Sequence, residues 1–331
     1  MSLEITQAIH CNNLELSQFE KKDQIIIQKA IDAINGSHSK IEIATLRNGK
    51  TGRALYRLSF DSNQYVIHIA DEDLASFAIL TKLAADHAFG PKLIYQNTER
   101  SALITEFVIG KQLSPKDLEN KEIINQLVDG IKTLHQSPLQ LQFNNKLGAL
   151  VSNLKKIGDP YQVIDYVDPI LQAIARQNFP KVPCHNDIHP GNILYSLTGK
   201  VQLIDWDDAG MSDPFYDLAR ISIEFCFNEE QNAALLRQYF IEPTKLESAR
   251  FFLMRQLFLV SIASDMLTQS QPLDQTIKER LALSMKNKVL INFGTPTLLK
   301  DIAPTFFNTF LHNAQSQEYV NSMEILSTKH F

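Results

Sequence analysis

The chain has 331 residues, 44% of them hydrophobic and 21% charged, and a formal net charge of −5, so it can bury a substantial core in one or two domains. It carries no long basic block, which excludes most nucleic-acid binders, because a phosphate backbone needs a concentrated cationic surface. Three widely spaced cysteines, Cys11, Cys184 and Cys226, form neither a disulfide framework nor a zinc spacing, as expected of a chain kept in a reducing cytosol.

In chain order, Ile25, Ile26, Ala30, Ile31 and Ile34 recur at helical spacing over 20–34, and Asn35-Gly36 closes that helix. Three strand-like runs follow at 41–46, 53–60 and 64–70, the last two joined as a hairpin by Asp61-Ser62-Asn63. The pattern predicts a helix over 73–88 and strands at 92–96 and 101–107. Five strands with one inserted helix make a small lobe. Ser114-Pro115-Lys116-Asp117 combines a capping serine, a proline in the first turn and an acid three residues on, which predicts a helix running to about His135. From there the chain reads as mostly helical, except for short strands at 193–195 and 201–205. Phe252 to Ile262 is the most apolar run, but Arg255 and Gln256 interrupt it. It reads as a core helix, too short and too polar to span a bilayer. Helical patterns recur at 275–290 and 298–315, separated by Gly294-Thr295-Pro296. The first residues do not read as a signal peptide, and a cytoplasmic location without membrane insertion is expected.

The chemistry concentrates in His185-Asn186-Asp187-Ile188-His189-Pro190-Gly191-Asn192 and in Leu203-Ile204-Asp205-Trp206. Asp187 is placed to accept a proton from a substrate hydroxyl, and Asn192 follows closely enough to share its loop. Asp205 ends an apolar strand. An amide and a carboxylate are oxygen ligands of the kind Mg²⁺ takes while keeping its waters. Phosphoryl transfer asks mainly for positioning and charge neutralisation, so this set is nearly a complete site. His185 and His189 also spell H-x-D-x-H, which can hold a transition metal, but the remaining histidines lack matching spacing. Structural support for the loop is the preferred reading of both. Cys184, directly before the motif, reads as a small buried residue rather than a nucleophile.

H-x-D-x-x-x-x-N followed by I-D-W resembles the aminoglycoside phosphotransferase and choline kinase superfamily, relatives of the protein kinases. The run from Ile204 through Asp213-Pro214-Phe215-Tyr216-Asp217-Leu218-Ala219 is similar to the choline/ethanolamine kinase branch. Gly90-Pro91-Lys92-Leu93-Ile94-Tyr95 and Leu103 to Gly110 also fit that branch, and the likeness covers roughly residues 41 to 265. It implies an α+β, two-lobed, protein-kinase-like fold: a small antiparallel-sheet lobe over 1–108 and a larger helical lobe over 109–331. It also implies an ATP- and Mg²⁺-dependent kinase of a small hydroxylated molecule, first an amino alcohol such as choline or ethanolamine. Thiamine, an aminoglycoside or amino sugar, and a catalytically weak regulatory protein on the same fold are the alternatives. A protein kinase fits less well, because nothing resembles a long activation segment.

The resemblance casts Asp217 as the buried aspartate bracing the catalytic loop, and Glu106-Phe107-Val108 as the interlobe segment facing the purine. Asn48, Gly49, Lys50 and Thr51 are the expected phosphate-covering turn, since glycine lets backbone N–H groups approach phosphate oxygens. The chain departs from its relatives at His68, which stands where they carry a lysine or arginine, and the helix 73–88 lacks an obvious glutamate partner. Only Glu72 and Asp73 are near its start. His68 protonated by the nucleotide's charge, or Lys50, Arg53 or Arg57, would supply the cation. For the acceptor, Asp207, Asp208, Glu224 and Asp265 are candidate carboxylates. Phe225, Phe227, Tyr239, Phe251, Phe252 and Phe258 are candidate aromatic faces. Oligomeric state is not readable.

Overall fold

Ile27, Ala30 and Ile31 are fully or almost fully buried, as the helical spacing of apolar residues requires once that face meets a sheet. A computed structural model of the chain describes residues 13–14, 16–19, 21–34, 42–48, 54–60, 63–97, 99, 101–269, 271–290 and 297–328. Two compact units emerge, Met1–Leu113 with Gly191–Asp207, and Ser114–Pro190 with Asp208–Phe331.

The first unit begins with β1 (Asn13–Leu14), α1 (Lys21–Ile34), β2 (Glu42–Asn48), β3 (Ala54–Phe60) and β4 (Asn63–Ile69). It continues with α2 (Ala75–Asp86), β5 (Leu93–Gln96), β6 (Ala102–Glu106) and β7 (Gly110–Gln112). The first six strands form one antiparallel sheet in the order β1-β2-β3-β4-β6-β5, the five expected strands plus a two-residue edge. Side chains alternate across β4. Ile67 and Ile69 join the core under α1, with Leu58, Ala102 and Ile104. Val66 and His68 therefore face the other way, and the His68 ring lies 4.8 Å from that of Phe77 in α2.

β7 is not among the strands expected from the sequence; it lies just after the interlobe segment Glu106-Phe107-Val108. It pairs with a later strand, Gly110 opposite Ser196 and Gln112 opposite Leu194. A Cβ on Gly110 would stand 2.3 Å from the carbonyl oxygen of Tyr195, so only glycine allows this approach.

Ser114 does cap with Asp117, whose carboxylate accepts from the Ser114 N–H at 2.8 Å. The helix it opens is only a 3₁₀ turn, Pro115–Glu119. Asn120 turns extended and caps a fresh helix, α3 (Lys121–Gln136), through the Glu122 N–H, so the single expected helix is two elements. The second unit adds α4 (Leu150–Lys156), α5 (Ile164–Arg176) and β8 (Val182–Cys184). The chain then returns to the first unit for β9 (Ile193–Ser196) and β10 (Val201–Leu203), which form a three-stranded sheet with β7. It ends in the second unit with β11 (Gly210–Ser212), α6 (Pro214–Glu224), α7 (Glu229–Phe240), α8 (Lys245–Leu267), α9 (Gln275–Lys286), α10 (Leu299–Ala314) and α11 (Gln317–Ser327).

α8 is the centre of this unit. It packs against α5, α6, α10 and α11, and Phe251, Leu253, Met254, Leu257, Phe258 and Val260 are all buried. A helix apolar on nearly every side belongs in a core. None of the described helices is long and apolar enough to cross a membrane.

Candidate functional site

β8 and β11 pair antiparallel, Cys184 opposite Gly210 and Val182 opposite Ser212. The residues following β8 are His185, Asn186 and Asp187. The residues following β11 open α6, where Asp213 accepts from the Phe215 N–H and Pro214 takes the first position. One turn in, Asp217 is completely buried. Its carboxylate accepts from the backbone N–H of His185 and of Asn186, both at 2.8 Å, and from His135 Nε2 at 3.0 Å. Burial alone would raise its pKa, but the His135 hydrogen bond and charge outweigh it and the net shift is downward. The resemblance implied a bracing role for Asp217, and its carboxylate bonds to two backbone N–H groups of this loop. Asn186 adopts φ 63° and turns its amide to the carbonyls of Asp208 and Gly210. His185 is buried, and its Nδ1 accepts from the Asp187 N–H at 3.3 Å.

Asp187 is ion-paired to Arg220, Nη2 to Oδ1 at 2.8 Å, and His189 Nε2 lies 3.5 Å from its Oδ2. Burial pushes its pKa up, but the His189 hydrogen bond and the Arg220 and histidine charges win, and the carboxyl is held well below the usual range. Arg220 also donates Nε to the Ile188 carbonyl at 3.0 Å and lies over the Phe258 ring, 5.1 Å from its centroid. Sequence reasoning missed Arg220. Its spacing carried the signal, since 217, 220 and 224 fall on one face of a helix begun at Asp213-Pro214.

Asp187, Arg220, Glu224, Phe258, Asp265 and Arg280 line one cavity of about 510 Å³ within the second unit. This volume is in the usual range for a small-molecule site. Of the candidate carboxylates, Glu224 is ion-paired to Arg280 Nη2, which also donates to the Glu224 carbonyl at 2.9 Å. Asp265 has no ion-pair partner among the described residues; burial raises its pKa, partly offset by the fields of Arg220 and Lys146. Asp208 lies elsewhere, its carboxylate 2.6 Å from Lys146 Nζ, and is not on this cavity's wall. Asp207 belongs to the first unit. The aromatic candidates are mostly core: Phe225, Phe227, Phe251 and Phe252 are buried away from the cavity, and Phe258 alone of the set lines it. The Tyr239 hydroxyl bonds to His135 Nδ1 at 2.7 Å.

Among the described residues one buried trio, His135, Cys184 and Asp217, could geometrically hold a metal. Both His135 nitrogens and both Asp217 oxygens already have partners. The Cys184 thiol is pushed well up by burial and by the nearby carboxylates. A neutral thiol among satisfied groups is neither nucleophile nor ligand. Among the described residues, His185 and His189 fall in no such group.

In the first unit, β9 and β10 form a hairpin with Ile193 opposite Leu203. Asn192 just precedes one strand and Asp205 follows shortly after the other. The Ile204 N–H donates to the Asn192 carbonyl at 3.0 Å, so the hairpin brings the two segments side by side. Asn192 is buried, and Asp205 takes a left-handed φ of 67°, a conformation rare for a residue with a Cβ and common at functional sites. An amide and a carboxylate from adjacent backbone positions match the all-oxygen chemistry of Mg²⁺.

The exposed Glu106 ends β6, its N–H bonded to the Lys92 carbonyl at 2.9 Å, and Val108 follows half-buried. Asn48 ends β2. Gly49, Lys50, Thr51 and Arg53 lie outside the described residues, as does Cys11.

Comparison with known proteins agrees with this architecture. A choline/ethanolamine kinase family protein from Mesorhizobium loti superposes with a TM-score of 0.63 at 19% identity, covering 85% of this chain and 92% of that one. The chain thus has the two-lobed kinase-like fold. A protein LicA homolog of Mycoplasma capricolum is 26% identical over 186 residues, 55% of this chain and 75% of its own length. A probable choline kinase of Arabidopsis thaliana is 21% identical over 178 residues, about half of each chain. The model of the phosphotransferase enzyme family matches residues 46–252. The chain belongs to the phosphotransferase enzyme family.

Proposed function

We propose that this protein transfers the γ-phosphoryl group of ATP to the hydroxyl of a small amino alcohol such as ethanolamine or choline. The observation that carries the reading is the cavity of about 510 Å³ on whose wall stand Asp187 and Asp265, the latter without an ion pair among the described residues. The family match supplies the reaction class.

Asn192 and Asp205 are the residues proposed to hold Mg²⁺. Bound there, the ion would neutralise charge on the phosphates of the nucleotide. Asp187, kept ionised by Arg220 and His189, is a weak base in the ground state. Its role is to accept a hydrogen bond from the acceptor hydroxyl, aim that oxygen, and take the proton late in transfer. Asp217, through the His185 and Asn186 amides, holds the loop that carries Asp187. Asp265 draws the ammonium end of the acceptor, since Glu224 is already neutralised by Arg280. Glu106 and Val108 offer main-chain groups to the purine. His68, on the sheet face away from α1, is the proposed phosphate-side cation.

The cavity exceeds what a two-carbon amino alcohol fills, which favours a second reading with thiamine or an amino sugar as acceptor. A coupled ADP-release assay over an acceptor panel, with Asp187→Asn as control, decides. Acceptor-dependent turnover abolished by the substitution supports the kinase and identifies the acceptor. Tight nucleotide binding without turnover across the panel overturns it in favour of a binding protein on this fold.

A further inference from the structure

We infer that Arg220 is a positioning residue for the transfer reaction: its guanidinium ties the carboxylate of Asp187 to the backbone of Ile188 and fixes the direction in which that carboxylate points. The inference rests on the kinase reading for its consequence, but the clamp itself is geometric.

Nη2 meets Asp187 Oδ1 at 2.8 Å while Nε meets the Ile188 carbonyl at 3.0 Å. One planar group thus spans the side chain of residue 187 and the main chain of residue 188. The guanidinium is itself immobilised. It lies over the Phe258 ring of α8, 5.1 Å from the centroid, and only 13% of its side chain is exposed. Only an arginine fork can make both contacts at once; a lysine ammonium is a point charge on a flexible stem. A pocket cation that merely balanced Asp187 would need neither the Ile188 contact nor the aromatic seat.

The groups acting on the Asp187 carboxylate include His185 and His189 on its own loop and Arg220 and Tyr216 from α6. Glu224 from α6 and Asp265 from α8 act on Arg220 in turn. Removing the guanidinium takes away one of the charges that lower the Asp187 pKa, so that pKa rises towards the ordinary carboxylate range. Activity that needs the ionised form then begins to fall at a higher pH as the solution is acidified.

The experiment compares Arg220→Lys and Arg220→Met with the parent, using magnesium–ATP and, as acceptor probes, ethanolamine and choline. The methionine variant should lose kcat on the order of 10²-fold, the scale of a misplaced reacting group. Its KM for ATP should stay within about twofold, and the acid limb of its kcat profile should move to higher pH. The lysine variant should recover part of the charge effect on the limb but little of kcat. A kcat within about threefold of the parent in both variants, or an acid limb that does not move in the methionine variant, overturns the inference. Melting curves identify a misfolded methionine variant, in which case the lysine variant alone decides through kcat against KM. Independently of turnover, the Asp187 carboxyl ¹³C resonance, assigned with Asp187→Asn, should titrate at higher pH in Arg220→Met than in the parent. Equal titration curves overturn the clamp. If the parent turns over neither probe, the amino-alcohol reading fails while the ¹³C titration still rules on Arg220.

Discussion

Replacing Asp217 by asparagine removes a buried charge at which three donors converge. The His185 and Asn186 amides and His135 Nε2 lie at 2.8, 2.8 and 3.0 Å. The asparagine oxygen can still accept, but its NH₂ group must face a donor. One charge-assisted bond is lost, about 1.5–3 kcal/mol, and one buried donor is orphaned, about 1–3 kcal/mol. Burying a neutral amide costs less than burying a carboxylate, which offsets part of this. A net loss of about 2–4 kcal/mol remains, a large share of a typical total of about 5–15 kcal/mol. Urea denaturation at neutral pH measures it directly. The pH dependence gives a second readout. The folded-state pKa of Asp217 is depressed, so its contribution is fully present above the unfolded value, about 3.9, and is lost as pH falls through the folded one. The gap between parent and variant should therefore be constant from neutrality down to about pH 5 and close at more acid pH. Because the loop carrying Asp187 hangs on these bonds, kcat should also fall on the order of 10²-fold. A variant within about 0.5 kcal/mol of the parent, or a gap that ignores acid pH, would refute the brace.

Gly110→Ala should cost about 1–3 kcal/mol, because its methyl would stand 2.3 Å from the Tyr195 carbonyl; an unchanged melting temperature would mean β7 and β9 are not so close. Arg250, 1% exposed, pairs with Asp213, donates to the Ile174 carbonyl at 3.1 Å and stacks on Phe179. Arg250→Met should cost about 3–5 kcal/mol by leaving a buried carboxylate short of its main partner. The double variant with Asp213→Asn should fall well short of the sum of the singles, as coupled partners do, and strict additivity in denaturation would contradict the pairing. Asp265→Asn should raise the KM for ethanolamine about tenfold, ~1.4 kcal/mol, with little change in kcat; an unaltered KM removes Asp265 from the ammonium's surroundings. His68→Ala should raise the KM for ATP about fivefold, ~1 kcal/mol, and a constant value would take His68 out of the nucleotide site.

Much of the first unit was legible in the sequence. Strand alternation, the Ile27–Ile31 face and the five sheet strands follow from period-2 and period-3.6 apolar spacing, which is a local property of the chain. The H-x-D-x-x-x-x-N and I-D-W motifs were equally legible, because their residues are close in sequence. Where local signals competed, the sequence misled. Ser114 and Asp117 cap a turn that Asn120 then ends, and β7 has no apolar pattern to announce it.

What the sequence by itself determined is the reaction class and the residues worth testing, Asp187, Asn192 and Asp205. Only the tertiary structure decided which charges remain to be used. Glu224 and Asp265 look alike in sequence, but Arg280, 56 residues further on, neutralises one and not the other. The phenylalanines that looked available for a cation are consumed by the core around α8, apart from Phe258, whose face Arg220 covers. Such pairings join residues tens of positions apart and are set by burial and by competition for partners. No short-range pattern encodes them.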